Sequence, residues 1–174
     1  MMRTILMALA FAAMAPLAQA EVVTSAPGGF VVKHTLSVPV APDVAYRKFF
    51  DIGQWWTPEH TFTGDARNLY IRARPNDCWC EKLPDGGFVR HMDVIYAAPG
   101  KMLRFSGGLG PLQEMAVTGA MTVAFDADGS STTVTMTMAV GGYSPTGLGP
   151  IAPLVDGVLG QQMLRYREFA GKRR

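Results

Sequence analysis

The run MTVAFDADGSSTTVTMTMAV, Met121 to Val140, admits few folds. Met121, Val123 and Phe125 alternate with smaller residues, DADG interrupts, and Val134, Met136, Met138 and Val140 then alternate with Thr133, Thr135 and Thr137. A period of two with one apolar and one hydroxyl-bearing face predicts an antiparallel hairpin lying on a core. Met115 and Val117 extend the apolar face upstream. Downstream the period changes. Ile151, Leu154, Val155, Val158, Leu159, Gln162, Tyr166 and Phe169 recur at steps of three and four, the stripe of an amphipathic helix running to about Ala170.

Upstream, FVVKHTLSVPV (Phe30 to Val40) predicts a first strand. Pro42 and Asp43 then open a helix with Val44, Ala45, Phe49 and Phe50 on its apolar face, and DIGQWWTPEHTF closes a second short helical turn. Strands are predicted at Asn68 to Ala73, Cys78 to Leu83, Phe88 to Tyr96 and Lys101 to Ser106. The expected fold class is α+β, a curled antiparallel sheet of about seven strands with two short helices after the first strand. One long C-terminal helix crosses the concave face. Such a sheet cannot fill its own middle, so a cavity is expected between sheet and helix.

The chain opens MMRTILMALAFAAMAPLAQA, with an early Arg3, an apolar run from Ile5 to Ala15, and Ala18-Gln19-Ala20 as a small-x-small cleavage pattern. This predicts a signal peptide over residues 1–20, cleaved after Ala20, and a periplasmic or secreted protein. The apolar run is shorter than the roughly 20 residues a spanning helix needs, so no membrane span is expected after processing. Residues 21–29 are expected to be a flexible N-terminus and residues 30–171 a single domain. With 16 basic against 14 acidic residues, the charge gives no reason to expect nucleic acid or an acidic surface as partner.

Three stretches, QWWTPEHTFTGDARNL, CWCE followed by DGGFVRHMDVIYAAPGKMLRF, and GGLGPLQ, resemble the polyketide cyclase and START-related superfamily known as SRPBCC. Within it they are most similar to relatives of the ATPase activator of a heat-shock chaperone. The resemblance spans roughly Val32 to Ala170 and implies the helix-grip fold with a hydrophobic ligand pocket. Because the superfamily includes lipid carriers, hormone receptors and cyclases, it does not by itself assign chemistry.

The segment NDCWCEKLPDGGFVRHMDV, Asn76 to Val94, carries both cysteines. If PDGG closes a tight hairpin, Leu83 faces Phe88, Glu81 faces Arg90, Cys80 faces His91 and Cys78 faces Asp93. One face then carries Trp79, Glu81, Leu83, Phe88, Arg90, Met92 and Tyr96, and the other carries Cys78, Cys80, Lys82, His91 and Asp93. The first is more apolar and is assigned to the cavity. Glu81 and Arg90 would there be either a polar anchor for a ligand or a plain cross-strand ion pair. The second face has the elements of a metal set, but C-x-C on a flat strand spreads its ligands along a line, and no metal is expected. For the thiols, packed free cysteines are the simplest reading. A Cys78–Cys80 disulfide would suit an exported chain, although residues two apart on a strand lie about 6.6 Å apart at Cα, near the limit for bridging.

Trp56 and the loop histidine His60 are expected near the pocket mouth, with core packing and solvation as their respective alternatives. Met136 is expected on the buried face of the last hairpin, where a thioether suits either an adaptable pocket or plain core filling. SGGLGPLQ, Ser106 to Gln113, is a glycine-rich connection that could form a flexible mouth. The expected ligand-binding set is therefore Trp56, His60, Trp79, Glu81, Arg90, Met92 and Met136, with no cofactor and no catalytic residue assigned. The favoured function is binding or carriage of a hydrophobic small molecule. A cyclase- or hydrolase-like enzyme using His60 or Glu81 as acid or base is the alternative, and a chaperone-partner module the third.

Overall fold

The computed structural model describes residues 19–172. The leader expected over residues 1–20 lies outside them up to residue 18.

One sheet of eight antiparallel strands is formed by β1 (Gln19–Ala26), β2 (Gly29–Val38), β3 (Leu69–Ile71), β4 (Cys78–Lys82), β5 (Phe88–Ala98), β6 (Met102–Gly107), β7 (Val117–Asp128) and β8 (Ser131–Gly142). Its order is β1-β2-β8-β7-β6-β5-β4-β3. The helix α1 (Pro42–Phe49) follows β2, and α2 (Ala152–Gly171) packs against β2, β1 and α1. This is the expected helix-grip architecture. The second short helical element resolves into three 3-10 turns, Ile52–Gln54, Pro58–His60 and Ala66–Asn68. None of the helices among the described residues is long and apolar enough to cross a membrane.

The eighth strand corrects the expectation of a flexible residue 21–29 segment. Glu21–Ala26 pairs with β2 from Lys33 back to Gly29, after a bulge between Val22 and Thr24. The segment was illegible because only Val22 packs against the core while Val23 is 45 % exposed, so no alternation survives. Cleavage after Ala20 would leave these residues on the sheet.

The hairpin β7–β8 keeps its period without a break, Met121 opposite Met138 and Val123 opposite Met136, all four fully buried. Their inward faces join Phe49 and Tyr46 of α1 and Tyr166 of α2 through edge-to-face rings, including Phe49–Phe125 at 6.0 Å and Phe49–Tyr166 at 5.4 Å. The Tyr166 hydroxyl donates to the Ala45 carbonyl at 2.7 Å, which satisfies its one polar atom in the core. Two devices seat α2. Lys48 donates to the carbonyls of Ala170 and Lys172, both at 2.8 Å, placing a cation at the negative end of the helix. Gly160 lets the helix pass over His34, since a Cβ there would sit 3.0 Å from the imidazole.

The β4–β5 pair departs from the regular hairpin. Trp79 faces Met92, but Cys80 faces Arg90, Glu81 faces Val89 and Lys82 faces Phe88. His91 is therefore an extra residue on β5, a bulge. A second slip between Val94 and Tyr96 leaves Ile95 extra in the same way. Each bulge inverts the inward and outward alternation. Met92 points in, whereas Phe88, Arg90 and Tyr96 lie on the exposed side, and His91 joins Met92 inside at 3 % exposure.

Opposite the first bulge, Cys78 and Cys80 form a disulfide with Cα atoms 5.4 Å apart. A flat strand would hold them about 6.6 Å apart, so the local contraction of β4 brings them well inside bridging range. The loop it closes has a single intervening residue, so its chain-entropy contribution is only about 1.5 kcal/mol. Urea unfolding with and without reductant should differ by about that amount. A loss near 4 kcal/mol would instead show that the disulfide is what holds the bulge.

Candidate functional site

A cavity of about 400 Å³ lies between the sheet and α2. The strands supply Trp79, Leu69 and Met138 as its floor, and Ile151 at the N-cap of α2 with Leu154, Val155, Val158 and Leu159 on the helix form its roof. The β6–β7 connection closes one side with Leu109, Pro111 and Leu112, followed by Met115. Polar groups are confined to Glu59, His60 and Thr61 at the mouth and His91 in the wall. An apolar body with one or two polar contacts is the chemistry such a lining accepts.

Three expected residues border this space, namely Trp56, His60 and Trp79. Trp56 meets Trp79 edge to face at 5.0 Å, and its indole N–H donates to the His60 carbonyl at 2.9 Å. The tryptophan thus ties the Pro58–His60 turn to the floor, while the His60 side chain is exposed at the mouth. Met136 and Met92 are buried in the core away from the cavity, and two residues after Met136 it is Met138 that reaches it. Leu154, 69 % exposed despite its place in the helical stripe, sits at the cavity edge.

Arg90 is the clear correction. Its side chain lies on the outer surface, paired with Asp93 and donating to the Asn76 carbonyl at 3.3 Å. The bulge at His91 is the cause, since it turns Arg90 away. Among the described residues, no lysine or arginine borders the cavity. Glu81 is fully buried, as expected, but its partner is His91, with His91 Nε2 3.2 Å from Glu81 Oε2. The Phe62 and Thr63 backbone N–H groups donate to the same carboxylate at 3.1 and 2.7 Å. Glu81 thereby pins the 61–63 loop over the cavity. His91 Nδ1 has the Gln113 amide 3.4 Å away. The Phe62 ring lies 5.8 Å from the imidazole.

Sequence reasoning placed His91 on the outer face with the cysteines, and nothing in its neighbourhood marks a bulge. The β6–β7 connection was more visible, because GGLGPLQ places three apolar residues in a loop that regular pairing does not use. The metal set considered for Cys78, Cys80, His91 and Asp93 is dispersed by the disulfide and the bulge. Among the described residues, no group of three or more His, Cys, Asp or Glu could hold a metal ion.

The electrostatics follow from burial. Burial alone would raise the Glu81 carboxyl, but hydrogen bonds from Thr63, Phe62 and His91 together hold it below the usual carboxylate range. Burial holds His91 below its ordinary value despite the opposing pull of Glu81. A second buried histidine behaves alike. His34 is depressed by burial more than Asp156, 3.0 Å away, raises it, and the two are not aligned for a hydrogen bond.

A group whose folded-state pKa is depressed contributes stability that is present above its unfolded value and lost as pH falls. Unfolding free energy should therefore be flat above neutrality, fall below about pH 6.5 as the unfolded histidines take up protons, and fall again below about pH 4.5 through Glu81. Urea titrations at pH 7.5 and 5.5 check this. His34→Phe with His91→Gln should remove the first slope, and a slope unchanged in that double variant would place its origin elsewhere.

No protein-family model matches the chain, and no curated protein matches it significantly. Solved structures do. An uncharacterized protein from Rhizobium leguminosarum superposes with a TM-score of 0.61 at 15 % identity, covering 91 % of this chain and all of the other. Ara h 8.0201 gives 0.57 at 10 %, covering 82 % and 98 %. The di-domain ARO/CYC StfQ of the steffimycin biosynthetic pathway gives 0.55 at 15 %, covering 83 % of this chain and 50 % of the other. At these identities the likeness is one of architecture alone, and it supports the helix-grip arrangement of a curved antiparallel sheet around a long C-terminal helix.

Proposed function

We propose that the protein binds a mainly apolar small molecule between its sheet and α2. The observation that carries this is the lining itself: a cavity of about 400 Å³ walled mainly by aromatic and aliphatic side chains, with polar groups at the mouth and at His91 in the wall. Filling the same space with larger core residues would have been the cheaper way to stabilise a fold that needed no ligand. That a solved structure of this fold is named an ARO/CYC of a biosynthetic pathway supports a small molecule as the occupant. The finer placement, beside the chaperone ATPase activators, rests on the three quoted motifs. Export to the periplasm rests on the leader, and a Cys78–Cys80 disulfide suits an oxidising compartment. Export also separates the chain from a cytosolic chaperone and from ATP, so a carrier or sensor is proposed over a chaperone-partner module.

The test is titration with N-phenyl-1-naphthylamine, a neutral apolar dye, followed by native mass spectrometry of protein purified from its own compartment. Saturable dye enhancement and a co-purifying small mass are expected. Protein that neither enhances the dye nor carries a bound mass would defeat the reading.

A further inference from the structure

Holding the 61–63 loop requires a carboxylate at position 81, but it does not require an imidazole beside it. Burying a histidine and a glutamate against an apolar wall costs desolvation that a leucine in place of His91 would avoid. The pair has the geometry of a base and its orienter. Both Glu81 oxygens already accept backbone N–H groups, and His91 Nε2 stands 3.2 Å from one of them. A carboxylate used as an acceptor makes Nε2 the donor, which puts the proton there and leaves the lone pair on Nδ1. The ring borders the cavity. The neighbour of Nδ1 is the amide of Gln113, at the long distance of 3.4 Å, and that amide also donates to the Arg90 carbonyl at 3.2 Å. Gln113 is exposed and follows directly on the wall residues Pro111 and Leu112, and its long contact leaves the Nδ1 lone pair weakly occupied.

We propose that His91, oriented by Glu81, is a general base that removes an acidified C–H proton from an apolar carbonyl compound bound in the cavity. This rests on the reading of the cavity as a small-molecule site. In the step, the C–H bond breaks, its proton bonds to Nδ1, and the electron pair moves onto the carbonyl oxygen as an enolate. The imidazolium, stabilised by the Glu81 carboxylate, returns the proton to the oxygen or to another carbon. The outcome is a proton transfer within one molecule, with no oxidant, reductant or second substrate.

The experiment uses 5-nitrobenzisoxazole, an apolar aromatic probe of general bases. A base takes its ring C–H proton, the electron pair completes a nitrile, the N–O bond breaks, and a coloured nitrophenolate results. Dye affinity is measured on the same samples. Saturable turnover is expected from the wild-type protein, and His91→Gln should lower kcat by about 100-fold or more, a loss far larger than any change in dye affinity. Gln113→Ala should raise kcat by freeing Nδ1, an effect that a purely structural histidine would not show. Glu81, as a positioning residue, is read through the pH profile. Glu81→Gln removes the charge that favours the protonated ring, so the acid limb should move to lower pH. The other charged or titratable groups around the ring are Glu59 and His60 at the mouth, with Arg90 turned outward onto Asp93.

Dye binding with no turnover above that of a cavity-filled Val158→Trp protein would overturn the proposal while leaving the binding function standing. Turnover that survives in His91→Gln would overturn it too, pointing to Glu59 or His60 as base. Absence of dye binding in the wild type would remove the cavity reading and this proposal together. Should His91→Gln fail to fold, the Gln113→Ala and Val158→Trp comparisons decide.

Discussion

Glu81→Ala is expected to destabilise the protein by about 3–5 kcal/mol, the range for breaking a buried charged pair by removing one partner. Three donors lose their acceptor at once, namely the backbone N–H groups of Phe62 and Thr63 and the Nε2 of His91. The buried Nε2 left unpaired costs about 1–3 kcal/mol, and the part-buried Phe62 and Thr63 donors cost less because water can reach them. Against a total stability of order 5–15 kcal/mol this is a large fraction. Glu81→Gln keeps the shape and one acceptor oxygen and should lose less. Urea unfolding at pH 7.5 measures both, and a loss under about 1 kcal/mol for the alanine variant would mean that the 61–63 loop does not depend on this carboxylate.

Val158→Trp is the second large effect, and it acts on binding. Val158 is half-buried on α2 and faces the cavity. An indole there occupies the ligand's volume without displacing the packed aromatic cluster around Phe49. Dye affinity should fall by about 100-fold or more, equivalent to about 2.7 kcal/mol, with little change in unfolding midpoint. Arg90→Ala, by contrast, should leave dye affinity within about twofold, as expected of an exposed substitution away from the site. If Arg90→Ala abolishes binding and Val158→Trp does not, the ligand sits on the outer face of β5 and the cavity is not its site.

The difference between these two residues shows where sequence reading succeeds. The β7–β8 hairpin and α2 were legible because each keeps one uninterrupted period; burial follows it residue by residue on β8, while on α2 Leu154 departs from it at the cavity edge. Trp79 lines the cavity, whereas Glu81 is buried without lining it, and β4 shows no alternation of burial from Cys78 to Glu81. On β5 the same rule failed twice, at His91 and Ile95, since a bulge adds a residue without changing composition or hydrophobicity. Arg90 was put inside and His91 outside by the first slip. Val155, Val158 and Leu159 were recognised as the buried stripe of α2, but a stripe does not say which of its residues meet core and which meet empty space. Met136 and Met138 illustrate the same limit, being equivalent in sequence pattern and different in neighbourhood.

The bulge at His91 also has a genetic meaning. Along β5, side chains alternate between two environments, and the extra residue determines which environment each one faces. Loss of the Val89 codon would restore an even count against β4. Glu81 would then meet Arg90 across the sheet in the register of a regular hairpin, and the imidazole would move to the surface. The result would be a salt-bridged wall in place of a histidine-bearing one, with the strand, its length and its hydrophobic content almost unchanged. A single in-frame deletion at Val89 would therefore exchange the partner of Glu81 while leaving His91 itself in the sequence.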